Sequence, residues 1–339
     1  MTKVQSDFLR RSNIVATDTD FSNLKHLVIS GFKSDAFIDK FYMVRAPGLT
    51  TLELSNNSID DNGAQTLAEG LKTNRTLITL GLQSNQIGNN GAQALAEALN
   101  FNKTLTALDL QHNRIAYQGM LALRPKRGTI SLYLSDNSIT EDGFDMLSEA
   151  LNHISSLIWL NLQDCKIGDD GAHTLAQVLK TNKTVEIMDL SANSIGANGA
   201  QALAEALKIN QALTTLNLDY NSIGANGAQA LAEALKINQA LTTLNLDNNS
   251  IGANGAQALA EALKTNSTVV TLNLRCNNIG DDGAKPLVQA LKTNKTVATL
   301  NLDYNSIGAS GAQALAEALK TNRTLTTLSI SSQYNTKDD

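Results

Sequence analysis

The residue types that could run chemistry are present but never gathered. Four histidines, His26, His112, His153 and His173, fall in separate stretches of the 339-residue chain. None belongs to an H-E-x-x-H helix, and none sits at ligand spacing from a cysteine pair or a carboxylate cluster, as a zinc site requires. Around Cys165 and Cys276 no nucleophile–base pair is visible. The glycines of IGANGA suggest a phosphate loop, but no Lys-Ser/Thr follows them, and they recur in most segments as a turn would. We expect no catalytic residue, metal or cofactor, and read the chain as a non-enzyme.

What does recur is a long phrase. NSIGANGAQALAEALK at 193–208 returns at 221–236 and 249–264, and at 305–320 with Ser310 where the others have Asn. Self-alignment gives a period of 28, with repeats opening at Leu49, Leu77, Leu105, Thr129, Leu157, Val185, Leu213, Leu241, Val269 and Val297. In the seventh, Leu216 and Leu218 alternate with Thr215, Asn217 and Asp219, which predicts a strand with one buried face. Ala228, Leu231, Ala232 and Leu235 follow at helical spacing. Asn226 is the expected N-cap and Asn238 the expected left-handed C-cap. An Asn at the ninth position, such as Asn85, Asn221 or Asn277, is placed to bond the backbone of its own turn and the next one; Cys165 replaces it once. One such repeat cannot bury both apolar faces alone, so neighbours must stack. Strands about 4.8 Å apart on one side and helices roughly 8–10 Å apart on the other would bend the stack, strands inside.

LxxLxLxxN followed by IGxxGAxxLAxAL resembles the leucine-rich repeat, in the 28-residue ribonuclease-inhibitor-like subclass. That subclass includes repeats of NOD-like receptors, Ran GTPase-activating proteins and effectors of intracellular bacteria. The resemblance covers Leu49 to about Ile330 and implies an α/β leucine-rich repeat solenoid. This would be a curved horseshoe with a parallel β-sheet on the concave face and α-helices on the convex face. Residues 1–48, which hold Phe8, Phe21, Phe32, Phe37 and Phe41 and the strand-like LKHLVIS, read as an N-terminal cap. Residues 49–324 form ten repeats, the third shortened to 105–128, and 325–339 a C-terminal capping strand and polar tail. In the short repeat Gln118 takes the cap position and Pro125 should end the helix early. This is either a tolerated deletion or a kink exposing Arg124, Lys126 and Arg127. Pro286 falls in what we take as the first turn of its helix.

A net charge of −5 argues against nucleic-acid and anionic-membrane partners, and no apolar run is long enough to span a bilayer. The first twenty residues lack a signal peptide's apolar stretch, which predicts a cytoplasmic protein or, from a bacterial source, one delivered into a host cytosol. Sequons such as Asn74-Arg75-Thr76 fall at one repeat position and read as turn chemistry. A monomer binding a partner protein through the concave face is the leading expectation, with GTPase regulation through Arg114 or Arg275, or a structural or decoy array, as alternatives. Outward strand positions and their rim are the candidate contacts. In the early repeats these are Asp109, Gln111, His112, Tyr133, Trp159, Asp164, Ile187 and Asp189; in the later ones they are Asp219, Tyr220, Asp247, Arg275, Asp303 and Tyr304. Trp159, the sole Trp, is either an anchor ringed by carboxylates or a filler drawn inward beside the short repeat.

Overall fold

A computed structural model describes residues 24–31, 48–123, 131–137 and 157–331. Two compact units divide the chain, Met1–Cys165 and Lys166–Asp339. In the first, strands β1 (His26–Val28), β2 (Thr51–Glu53), β3 (Thr79–Gly81), β4 (Ala107–Asp109), β5 (Ser131–Tyr133) and β6 (Trp159–Asn161) pair in parallel and in chain order. Helices α1 (Asp61–Thr73), α2 (Asn89–Leu99) and α3 (Tyr117–Ala122) alternate with them. The second unit pairs β7 (Ile187–Asp189), β8 (Thr215–Asn217), β9 (Thr243–Asn245), β10 (Thr271–Asn273), β11 (Thr299–Asn301) and β12 (Thr327–Ser329) in the same way. Its helices are α4 (Gly168–Thr181), α5 (Ala197–Leu207), α6 (Gly224–Leu235), α7 (Gly252–Leu263), α8 (Gly280–Thr293) and α9 (Ala309–Leu319).

Register follows the sequence period. Thr215 pairs with Thr243 and Thr243 with Thr271, each 28 residues on, whereas Ala107 pairs with Ser131, 24 residues on. The shortened third repeat therefore keeps its strand in register and loses length elsewhere. Helix α3 stops at Ala122, and Arg124, Pro125, Lys126 and Arg127 lie outside the described residues. So do the five N-terminal phenylalanines, whereas LKHLVIS contains β1 as expected. The seam between strands and helices is aliphatic: Leu216, Leu218, Ile223, Ala228, Leu231 and Leu235 are all fully buried, as are their equivalents in adjoining repeats. At β12 the seam opens, leaving Leu328 half-buried and Ile330 exposed.

The ninth-position asparagines tie consecutive repeats together. Asn221 donates to the carbonyls of Leu190, Leu218 and Asp219 and accepts the N–H groups of Asn193 and Ile195 at 3.1 and 2.8 Å. The bonds run to its own turn and to the preceding repeat, not the following one. Cys165 occupies the same place, its thiol against the Leu134 and Gln163 carbonyls, and burial pushes its pKa up to about 12.

Both cap expectations fail. Asn226 lies inside α6, which begins two residues earlier at Gly224. Asn238 is not left-handed; its buried amide donates to the Leu207 and Asn210 carbonyls and accepts the N–H groups of Ala240 and Leu241, a second ladder at the helix-to-strand turn. The sequon residue Asn266 makes the same contact with Leu235. Pro286 sits in the second turn of α8, not the first, because the helix starts at Gly280.

Asp60 caps α1 from within its own repeat, but four later helix starts are capped from the repeat before. Asp169 accepts the N–H groups of Gly196 and Gly199 at 2.7 and 2.9 Å, capping the next repeat's helix α5, and Gly196 is extended at φ −95°. Asp61 and Asp281 act alike on Gly88 and Gly308, and Asn89 does so on Ala116. Where that position holds Ala197 or Ala225, the following glycine has no such acceptor. Gly224 and Gly252 then turn left-handed, φ +61° and +66°, and give their N–H to the carbonyls of Asn249 and Asn277.

Two predictions follow from these bonds. Gly252→Ala should cost about 1 kcal/mol in urea unfolding, because a Cβ disfavours positive φ. The cost should shrink in an Ala225→Asp background, where the new carboxylate holds residue 252 extended; equal costs in both backgrounds would rule the mechanism out. Asn221→Ala leaves several buried backbone groups unpaired and should cost about 3 kcal/mol. A loss below about 1 kcal/mol would mean that water replaces the amide.

Candidate functional site: outward strand positions of each unit

Alternation along a three-residue strand leaves the first and third side chains pointing away from the seam. In the first unit this places Asp109 opposite Tyr133, and Ser131 opposite Trp159. The Tyr133 and Trp159 rings meet edge to face, centroids 4.9 Å apart at 67°. Both are half-buried, so Trp159 is neither a fully exposed anchor nor a core filler. Its indole N–H is buried without an acceptor among the described residues.

Two carboxylates continue this row: Asp109 opposite Tyr133, and Glu53 two strands beyond Asp109. Glu53 lies across the gap left by Gly81, where an added Cβ would come within 1.6 Å of its Oε2. Burial raises the Glu53 pKa, the charge of Asp109 adds to the rise, and His26 opposes it. Burial also raises Asp109, against the pull of the Gln111 N–H that it accepts at 3.0 Å. The same cause lifts the Tyr133 hydroxyl. At the rim His112 and Asp136 are hydrogen-bonded, both left-handed, and Ser135 donates to the Gln111 side chain at 2.7 Å. Asp164 is exposed in the same left-handed conformation. The structure thus links Asp109 with Gln111, and Tyr133 with Trp159. Glu53 and Asp136, which the repeat period also places at outward and rim positions, join these groups, and the structure adds Ser135 from the same column as Gln111.

The second unit's outward row satisfies itself. Asp189 accepts the backbone N–H and hydroxyl of Ser191 and the amide of Asn217. Asp219 accepts the Asp247 N–H at 3.0 Å and the Asn245 amide at 2.5 Å. Asp247 is buried, with Oδ2 3.0 Å from Arg275 and Oδ1 unpartnered among the described residues. The Arg275 guanidinium stacks 4.5 Å from the Tyr304 centroid and also takes a hydrogen bond with Tyr220. Asp303 accepts the Ser331 N–H, and Ile187 is half-buried on β7. Asn217, Asn273 and Asn301, in one strand column, each accept the N–H two residues on, closing the end of their strand. Asp109 and Asp189 hold the same post, a structural duty that their place in a candidate contact surface does not reveal.

Among the described residues no group of three or more His, Cys, Asp or Glu side chains is placed to hold a metal ion, and no helix is long and apolar enough to cross a membrane. Comparison with known families fits this geometry. The family described as Leucine Rich repeat matches residues 48–68, 73–96, 101–123, 153–176, 181–204 and 210–232. The chain is a leucine-rich repeat protein. A second family, described as TMOD/LMOD Leucine-rich domain, matches residues 249–338 of the same leucine-rich repeat array. No curated protein matches the chain. Among solved structures it is similar to an internalin of Listeria monocytogenes, with 18% identity, coverage of 96% of this chain and 93% of that one, and a TM-score of 0.50. It is also similar to the leucine-rich repeat-containing protein LegL7 of Legionella pneumophila, with 20% identity, coverage of 78% and 86%, and a TM-score of 0.50. A third likeness, to leiomodin-1 actin-binding site 2, has 24% identity, coverage of 43% and 86%, and a TM-score of 0.40. The first two share the leucine-rich repeat fold with this chain.

Asp219 gives the row a pH dependence. Burial, with the charges of Asp247 and Asp189, pushes its pKa from 3.8 up to about 6, against hydrogen bonds that favour the anion. Between those values the native state holds a proton that the unfolded chain has released, so stability falls as pH rises toward 6. Asp219→Asn should flatten that slope. Its urea midpoint should exceed wild type at neutral pH, with the gap closing toward pH 4; a gap independent of pH would refute the assignment.

Proposed function

We propose that this leucine-rich repeat protein is a non-catalytic scaffold that binds a partner protein through its outward strand positions, chiefly those of the first unit. The carrying observation is the Tyr133–Trp159 pair, two half-exposed rings packed edge to face on neighbouring strands. Amphipathic rings held half-exposed on a strand face are the usual form of an interface anchor. Glu53 and Asp109 beside it, held half-buried, favour a partner that brings a positive charge or a hydrogen-bond donor.

The pairing of one strand and one helix in each 28-residue repeat supports the ribonuclease-inhibitor-like subclass. We read the site of action as cytoplasmic and, for a bacterial source, as a host cytosol. GTPase regulation through Arg275 is less favoured, because its guanidinium is already held by Asp247, Tyr220 and Tyr304.

Affinity capture followed by mass spectrometry tests the scaffold. Tyr133→Ala/Trp159→Ala should lose the partners retained by wild type, while Glu233→Ala on the far face of α6 should keep them. Identical profiles for all three proteins would remove the strand face of the first unit from the function.

A further inference from the structure

The helices of the second unit run in one direction, so their C-terminal ends share an edge. Asn210, Asn238, Asn266 and Asn294 lock each helix-to-strand turn to the preceding one, so side chains at this edge recur at a fixed step. Lys180, Lys208, Lys236, Lys264, Lys292 and Lys320 stand one per helix at these ends. Four of them pair with the glutamate three residues back, at 2.5–2.7 Å. The helix dipole accounts for a cation at each helix end.

It does not account for what lies beyond. Lys183, Lys295 and Arg323 follow the turn asparagines, are exposed, and have no carboxylate partner among the described residues. Ile209 and Ile237 protrude from the same edge, 59% and 55% exposed. Other repeats place Thr181, Thr265, Thr293 and Thr321 at that position, so the fold has no need of an apolar residue there. The first unit shows the combination independently. Lys72, Arg75 and Lys103 border an open groove of about 590 Å³ with Asn100 and with Phe101, itself 59% exposed.

We propose that the edge formed by the helix C-terminal ends of the second unit docks on an anionic lipid bilayer, with Ile209 and Ile237 entering the headgroup layer between the lysines. The overall charge of −5 conceals this edge, because the carboxylates are concentrated on the outward strand positions and the helix faces. A lipid surface fits better than a nucleic acid or an acidic peptide for two reasons. Protruding aliphatic side chains gain by entering acyl chains and lose against phosphates in water. The cations are almost all lysines, point charges suited to a diffuse anionic plane more than to the paired geometry that arginine reads.

Co-sedimentation of the full chain with phosphatidylcholine vesicles, with and without phosphatidylserine, tests this. Binding should require phosphatidylserine and fall with salt. Lys183→Gln and Lys295→Gln should each lower the partition coefficient about fivefold, the equivalent of the roughly 1 kcal/mol that a cation contributes near such a surface. Ile209→Gln/Ile237→Gln, all at exposed sites, should weaken binding with circular dichroism unchanged. Tyr133→Ala/Trp159→Ala should bind vesicles like wild type, which separates this edge from the partner-binding face. No binding to phosphatidylserine vesicles overturns the proposal. So does binding that ignores the isoleucine substitutions and is matched by duplex DNA, the behaviour of an unspecific polyanion site.

Discussion

The side-chain amide that each repeat lends to the one before it is the bond on which this architecture rests. A strand of three residues offers few ladder hydrogen bonds, and the turn that follows it would bury several backbone groups without partners. Asn221 answers with both ends of its amide, satisfying donors and acceptors of two successive turns at once. No shorter or singly functional side chain can do this, as Cys165 shows by reaching two carbonyls through a weak thiol donor. Because the acceptors belong to a neighbour, a lone repeat has nowhere to spend the amide, and stability accrues only by stacking.

The same dependence on neighbours explains why part of the fold was legible in the sequence and part was not. Strand alternation, the aliphatic stripe of the helix and the ninth-position Asn are properties of one repeat, and each was found where the period placed it. Caps are properties of two. Residues 193–208 and 221–236 are letter for letter the same, yet Gly196 is extended and Gly224 left-handed. The difference resides in Asp169 against Ala197, one repeat upstream. Reading Asn226 as the N-cap failed because α6 opens two residues earlier, at a left-handed Gly224, and Ala197 upstream offers no side-chain acceptor. Asn238 was misread for a similar reason, since its acceptors lie in the preceding turn.

Charge is sorted by the period as well. A repeated residue becomes a row, so one substitution in an ancestral 28-mer writes a stripe of carboxylates or of lysines along one side. A whole-chain sum is then a poor guide to what any surface presents. The outward strand positions carry one row of aspartates, and the helix ends carry a row of lysines, four of them paired with a glutamate one turn back. Composition alone merged them.

The outward rows show how a repeat array moves from self-sufficiency toward recognition. In the second unit the near-verbatim repeats give each polar group a partner one strand away: Asn217 on Asp189, Asn245 on Asp219, Arg275 on Asp247. Such a row is nearly complete, with a single Asp247 oxygen left over. The first unit has diverged, and divergence breaks the ladder. Gly81 has no side chain, and the Glu53 carboxylate takes its place, close enough to Asp109 for that charge to raise its pKa. Tyr133 and Trp159 replace the Asn and Thr of the later strands by half-exposed rings that pack on each other. Losing internal partners costs stability unless something outside supplies them. On the scaffold reading proposed above, the half-exposed rings and neighbouring carboxylates of the first unit have more to gain from a bound protein than the internally paired row of the second.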